Sequence, residues 1–218
     1  MDRPSVRHRM AVALVLAVAV LPLFGCTSML VTAMYLFKGN DVDPEFAELK
    51  GKKVAVVCRP MVALQYRNSS VARELAEQVT TLLEKNVPKI HVVDQRKVNK
   101  WTDENTWEEY REVGKAMKAD MVVGIDLESF SIFQGQTVYQ GKANAIVAVY
   151  DGEKKWKKVF EKVLPQSVYP PNSFVPTSDR LEGDFRREFV AVLADQISRY
   201  FYSHEPFPDM AQDSAALK

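Results

Sequence analysis

The sequence predicts an α/β protein with one mixed parallel and antiparallel sheet covered by helices. Two observations predict this fold class. In the first half of the chain, short β-branched apolar runs alternate with helical periodicities, a pattern typical of strand–helix–strand crossovers and parallel strands. In the second half, apolar runs follow one another with only turns between them, which predicts an antiparallel meander. The length of 218 residues, less an N-terminal leader, suits one core.

The N-terminus has the features of a secretory signal peptide. Residues 3–9 are rich in arginine, residues 10–24 are almost wholly apolar, and Gly25 and Cys26 follow. This order of basic, apolar and small residues is the secretory pattern. The run Leu23-Phe24-Gly25-Cys26 resembles the lipobox of bacterial lipoproteins. We therefore expect residues 1–25 to be removed and Cys26 to carry a lipid that anchors the chain to a membrane.

The alternative for this region is an uncleaved single helix that spans the membrane. The apolar run before Pro22 is shorter than the roughly 20 residues that a span needs, although residues 29–37 could extend it. Both alternatives place residues 39 onward outside the cytoplasm, because a positive flank stays inside. By the resemblance to Gram-negative lipoproteins, Thr27 implies the outer membrane with the domain in the periplasm, and the inner membrane stays open.

The elements of the first half follow from apolar spacing. Residues 26–51 contain the lipidated cysteine and a predicted tether, and the globular domain is expected over residues 52–205. Val71, Leu75 and Val79 recur at helical spacing. The predicted order is a strand at 53–59, a loop at 60–69, a helix from the cap Ser70 to about Lys85, a strand at 90–94, a short helical turn within 95–105, a helix opened by a capping box at 106–109, and strand residues from 121 to 133.

The second half begins with a hairpin turn at residues 134–136 and a strand at 138–150, in which Tyr139, Ala143 and Ala145 share one face. The predicted elements that follow are a turn at Asp151-Gly152, a strand at 155–163, a proline-rich loop at 164–178, an amphipathic helix over 185–201, and a flexible tail at 206–218.

Several of these segments resemble a known family. They are Lys53 to Val57, the run Gly114-Lys115-Ala116-Met117-Lys118-Ala119-Asp120-Met121-Val122-Val123-Gly124, then Gly141-Lys142-Ala143, and a strand that ends in Tyr150-Asp151. They are similar to the periplasmic-domain superfamily of the curli-secretion lipoprotein and of the lipoprotein activators of penicillin-binding proteins. The N-terminal domain of the Tol-system β-propeller protein is a more distant relative.

The resemblance implies a non-enzymatic adaptor or activator of other envelope machinery. One branch of that superfamily forms a secretion pore, which is the alternative function. A spanning β-hairpin needs two strands of about 9–11 residues each. The segment at 164–178 is too short and too rich in proline to supply it.

Residue types that carry chemistry are sparse, so we expect no catalytic, cofactor-binding or metal site. Asp126 and Glu128 lie two residues apart on a strand, which suits acid–base work but is more typical of a solvated face. Cys58 lies in an apolar strand and is expected to be a buried free thiol. The formal net charge of +1 indicates no nucleic-acid partner.

Loop chemistry then suggests where partners bind. Tyr66, Tyr169 and Phe174 lie in the predicted loops among prolines and asparagines. Aromatic residues are common anchors of interfaces, although these three are equally suited to cover the core. We expect the chain to contact the membrane through the lipid on Cys26 and to bind another envelope protein, and a homo-oligomer stays open.

Overall fold

The computed structural model describes residues 41–60 and 62–206, without the side chains of residues 62–69. Its elements are β1 (Lys53–Pro60), α1 (Val62–Asn86), β2 (His91–Val92), α2 (Gln95–Glu104), α3 (Tyr110–Met117), β3 (Met121–Phe133), β4 (Val138–Asp151), β5 (Lys157–Val163), β6 (Ser167–Tyr169), β7 (Val175–Pro176), α4 (Glu182–Ser198) and a 3₁₀ turn (Arg199–Phe201). The predicted α/β fold class is confirmed.

One mixed sheet carries the fold. Its strand order is β2-β1-β3-β4-β5, and the short strands β6 and β7 pair with β4. β1 runs parallel to β2 and β3, whereas β4 runs antiparallel to every strand that it contacts. The predicted parallel first half and antiparallel second half are therefore both present.

Helices cover the two faces of the sheet unequally. On one face, α1 and α4 pack over β1, β3 and β4 and enclose the larger core, in which Leu75, Ile125 and Phe189 are fully buried. On the other face, α2 and α3 enclose a smaller core around Val57 and Val113. Burial of apolar side chains contributes about 25 cal/mol per Å², so the larger core supplies more of the stability.

The glycine in Gly141-Lys142-Ala143 has a packing role. A Cβ at position 141 would lie 2.4 Å from the ring of Phe189, and real Cβ contacts are never that short. Glycine in β4 is what allows α4 to place an aromatic ring directly on the strand backbone. The segment that resembles the lipoprotein superfamily therefore has a structural explanation within this chain.

The first helix is longer than predicted. α1 begins at Val62, so the loop expected at 60–69 is wrong, and Ser70 is an interior residue of the helix. Asn and Ser are only modestly unfavourable inside a helix, by less than about 0.7 kcal/mol each. The deep burial of Val71, Leu75 and Val79 outweighs that preference.

The segment between β2 and β3 holds two full helices. α2 has ten residues where a short turn was expected, and the Asp94 carboxylate accepts from Arg96 N at 2.9 Å to cap it. The capping box expected at residues 106–109 is wrong as well. Glu109 and Glu112 form the box instead, so α3 begins at Tyr110.

The second half differs from prediction at two places. Lys155 and Trp156 adopt left-handed backbone conformations in the turn after β4, so β5 begins at Lys157. The proline-rich segment 164–178 is not wholly a loop, since β6 and β7 form within it. Pairing with β4 was not visible in the sequence, because neither strand exceeds three residues.

The compact unit begins at Val42, ten residues before the predicted boundary. Val42 and His204 exchange backbone hydrogen bonds, and Phe46 and Leu49 are buried in the larger core. Residues 42–51 are therefore part of the domain and not of a tether. The predicted signal peptide, residues 26–40 and most of the predicted tail lie outside the described residues.

Candidate functional site

Side chains near the carboxyl end of β1 form a polar and aromatic cluster with β3. The parallel register pairs Arg59 with Asp126, so both side chains leave neighbouring strands on one face. Arg59 Nε and Nη2 each lie 2.8 Å from Asp126 Oδ1, and Nη1 donates to the Glu108 carbonyl at 2.8 Å. Arg59 therefore ties β1 to β3 and to the segment that connects α2 with α3.

Tyr110, the first residue of α3, completes this cluster. Its hydroxyl donates to Asp126 Oδ1 at 2.8 Å, and its ring stacks on Tyr150 with centroids 5.1 Å apart. The ring lies so close to β3 that a Cβ at Gly124 would be 2.7 Å from it. The glycine that ends the resembling segment in β3 thus lets the phenol reach the carboxylate.

Aromatic rings also hold the guanidinium of Arg59. Its central carbon lies 5.1 Å from the ring centroid of Tyr110 and 6.0 Å from that of Trp107. Arginine suits this position because a planar guanidinium stacks on rings while it donates hydrogen bonds. Its orientation is therefore fixed by hydrogen bonds and ring contacts together.

The surroundings of the cluster keep the Tyr110 phenol and the neighbouring Cys58 thiol protonated. Burial, and then the negative charge of Asp126, raise the pKa of Tyr110 well above its usual value. Burial likewise raises the pKa of the neighbouring Cys58 thiol. At neutral pH Tyr110 is thus a hydrogen-bond donor and Cys58 is an uncharged thiol, which is a weak nucleophile.

Replacing Tyr110 with phenylalanine is expected to lower the free energy of unfolding by about 1.5 kcal/mol, the low end for hydrogen bonds to charged groups. The low end applies because the Asp126 side chain is partly exposed. Urea denaturation would measure the change as a shift in midpoint at constant slope.

Tyr150→Phe is the matched control for this measurement. The Tyr150 ring stacks on Tyr110, but its hydroxyl has no hydrogen-bond partner among the described residues. We expect a change within about 0.5 kcal/mol. Equal losses in both variants would show that the Tyr110 hydroxyl does not hold the cluster.

Two cavities lie on either side of Arg59. One, of about 270 Å³, is bounded by the end of β1, by α1 and by α2. The other, of about 260 Å³, lies over Asp126, Glu128 and Ile146. Together they make a crevice at the end of β1, and Arg59 lies at its centre.

Two of the predicted contact residues differ in how far their side chains are exposed. Phe174 is 50% exposed, so its side chain is accessible, and its role as a contact stays a prediction. Tyr169 is 4% exposed, and its ring lies against Phe185 and Phe189 with centroids 5.8 and 6.4 Å away. Tyr169 therefore belongs to the core, because β6 turns its side chain toward α4, and its prediction as a surface contact is wrong for this structure.

The other two predicted site residues are not placed. Tyr66 lies in α1 and not in a loop, and its side chain is outside the described part. Cys26 precedes the described residues, so its lipidation stays a prediction. Within residues 41–60 and 62–206, no helix combines the length and the apolar character that a membrane crossing requires.

The carboxylates considered for chemistry are engaged elsewhere or dispersed. Asp126 pairs with Arg59 and Tyr110, while Glu128 is exposed beyond it. In the described ranges, no group of three or more histidine, cysteine or acidic side chains is arranged to hold a metal ion. Lys154, part of the basic segment after β4, pairs with Asp151 at 3.3 Å and with Glu48 at 3.6 Å.

The Arg59–Asp126–Tyr110 cluster was missed in the sequence as a unit. A usable signal existed, because Arg59 and Asp126 both come five residues after the first paired residues of their strands, Val54 and Met121. Two parallel strands in that register bring the arginine and the carboxylate together. The start of α3 at Tyr110 could not be read in the same way, because a competing capping box at Thr106 was available.

Comparisons with known proteins give distant likenesses. No family model matches the chain, and no curated protein does. Among solved structures, PelC of Paraburkholderia phytofirmans, a dodecamer, matches with a TM-score of 0.44 and 9% identity over 73% of this chain and 93% of that chain. A lipoprotein of Neisseria meningitidis matches with a TM-score of 0.38 and 11% identity, over 67% and 97% of the two chains.

A minor lipoprotein of Acinetobacter baumannii matches with a lower TM-score of 0.32 and 12% identity, over 68% of this chain and 91% of that chain. Two of these three structures carry the name lipoprotein. TM-scores below 0.5 at such identities are too low to assign a family or a function to this chain.

Proposed function

We propose that this chain is a lipid-anchored protein of the bacterial cell envelope that binds another envelope protein by surface contact and catalyses no reaction. The N-terminal sequence supports the envelope location, because a basic segment, an apolar segment and Gly25-Cys26 follow in the order of a lipoprotein signal. The outer membrane, facing the periplasm, is the proposed site because Thr27 and not aspartate follows the cysteine.

The setting of Phe174 carries the contact part of the proposal. This aromatic side chain is half exposed, between two short strands that both pair with β4. Gln140, a buried side chain of β4, donates through Nε2 to the carbonyls of Pro170 at 3.2 Å and Ser173 at 3.5 Å. The loop is thus held in one conformation, which lowers the ordering cost of binding.

A separate exposed apolar surface lies further along the sheet. Ile146 of β4 pairs with Val163 of β5, which is 61% exposed, and Asp126 of β3 precedes them in the same cross-strand row. In the described part of the chain, α2 and α3 lie over β1 and the beginning of β3, and α3 reaches this row at Asp126 through Tyr110, whereas Val163 at its other end is exposed. An apolar centre with charged surroundings is typical of protein contact surfaces.

Phe174→Ala is expected to abolish partner capture and to change the free energy of unfolding by less than about 0.5 kcal/mol, as an exposed substitution does. Capture would be measured in intact cells with a photo-crosslinking residue placed at position 174 or, as a control, at the exposed Glu84 of α1. A defined crosslinked band is expected from position 174 and not from position 84.

Tyr169→Ala is the comparison variant for packing, because it removes a buried ring and not an exposed one. Because its ring is buried between Phe185 and Phe189, we expect a loss of about 3–5 kcal/mol in stability. Identical crosslinking from positions 174 and 84, or unaltered capture by Phe174→Ala, would contradict the proposed contact surface.

A further inference from the structure

The crevice at Arg59 lies where this topology places ligands. β1 lies between β2 and β3, and the chain leaves β1 through α1 on one face and returns to β3 through α2 and α3 on the other. The strand order therefore reverses at β1. In open α/β sheets, the space outside the carboxyl ends of the strands at such a reversal is the usual binding position.

The cavity between α1 and α2 is lined mainly by polar groups. Its volume of about 270 Å³ is slightly below the range of about 300–1,000 Å³ for drug-sized ligands, so it has room for one ring-sized unit. The side chains that can make hydrogen bonds or ring contacts there are Arg59, Arg73, Gln95, Asn99, Thr102, Asp103 and Trp107.

The charges in this cavity are already paired. Arg59 pairs with Asp126, and Arg73 lies 2.6 Å from Asp103. An anionic ligand would have to compete with a carboxylate for either guanidinium, and a cationic ligand would have to compete with a guanidinium for either carboxylate. The cavity therefore offers no unpaired charge among its described residues, and its free hydrogen-bonding groups suit a ligand without net charge.

Its neutral groups offer both donors and acceptors. Gln95 is buried, with Oε1 at 3.0 Å from the Thr80 hydroxyl, whose proton is shared with the Ala76 carbonyl at 2.7 Å, and Nε2 donates to Asn99 Oδ1 at 3.1 Å. That bond fixes the Asn99 amide, whose nitrogen has no acceptor among the described residues. The Thr102 hydroxyl adds a second oriented group by donating to the Asn99 carbonyl at 2.9 Å.

We propose that this crevice binds a neutral saccharide chain, with one sugar ring in the cavity beside Trp107. A sugar ring has hydroxyls that donate and accept, no charge, and an apolar face of C–H groups that packs on an aromatic ring. The second cavity, across Arg59 and over Asp126 and Glu128, extends the crevice to the next unit of the chain.

The test uses the detergent-solubilised full chain and three tetrasaccharides: chitotetraose and cellotetraose, which are neutral, and an anionic heparin tetrasaccharide. Tryptophan fluorescence and saturation-transfer NMR would follow each titration. A dissociation constant of about 1 mM or below is expected for at least one neutral chain. Trp107→Ala and Asn99→Ala should each weaken binding by about tenfold or more.

Trp101→Phe is the matched control, because Trp101 packs on the smaller core and does not line the cavity. This variant should bind as tightly as the unchanged chain. The proposal is overturned if neither neutral chain binds, if the heparin fragment binds more tightly than both, or if Trp107→Ala and Asn99→Ala bind normally while thermal unfolding shows them to be folded.

Discussion

Replacing Phe189 with alanine is expected to lower the free energy of unfolding by about 3–5 kcal/mol, the range for buried aromatic residues. Phe189 has no exposed surface and lies in the middle of α4. Its ring stacks on Phe130 of β3 at 5.2 Å, and Tyr169 of β6 lies parallel at 6.4 Å. Urea denaturation would measure the loss.

The loss should fall at the upper part of this range because the site cannot collapse easily. Gly141 lies under the ring and has no side chain to fill the space. The two aromatic rings against it belong to β3 and β6, and Gly141 beneath it belongs to β4, so closing the cavity would require several elements to move.

Arg187→Ala is the matched control on the same helix. The side chain of Arg187 is 63% exposed and pairs with Asp184, so its removal should change stability by less than about 0.5 kcal/mol. A loss below about 1 kcal/mol for Phe189→Ala would show that α4 is not docked on the sheet as described.

Replacing Cys26 with serine is expected to abolish lipid attachment completely. Serine has no thiol to accept the lipid, so cells fed a labelled fatty acid should show no label on this variant. Membrane association should be lost as well if the unlipidated chain is released. Even one acyl chain binds a membrane only marginally, and this variant would have none.

Cys58→Ala is the control for the labelling experiment. Cys58 is the other cysteine of the sequence and lies half-buried in β1. This variant should retain the full label. Label on the Cys26→Ser protein at the level of the unchanged chain would contradict lipidation at Cys26.

The sequence was most informative where a single periodicity decided the structure. The alternation of Tyr139, Ala143 and Ala145 predicts β4 correctly, and the spacing of Phe185 and Phe189 predicts α4. In each case the apolar face meets one core, so burial and pattern favour the same element.

The sequence was least informative where two weak local signals competed, or where a strand pairs with a partner far away in the chain. Residues 62–69 contain Asn68 and Ser69, which favour a loop, yet α1 passes through them because its later turns are buried. β6 and β7 exist because β4 offers them a partner strand, and no local pattern in three residues reports a distant partner.

In the candidate site, one contact could be predicted from the sequence and the others could not. Arg59 and Asp126 could be paired from the parallel register of their strands. Tyr110 reaches them only because Gly124 leaves space for its ring and because α3 begins where it does, which are properties of packing. For the same reason Tyr169 was predicted on the surface and lies in the core.

The lipid anchor is tested most directly by the mass of the mature N-terminus of the protein purified from bacterial membranes. Lipidation at Cys26 predicts an N-terminal peptide that begins at this cysteine and carries a diacylglyceryl group, with no peptide from residues 1–25 in the mature protein. A membrane-bound protein that retains residues 1–25, or that begins with an unmodified Cys26, would contradict it.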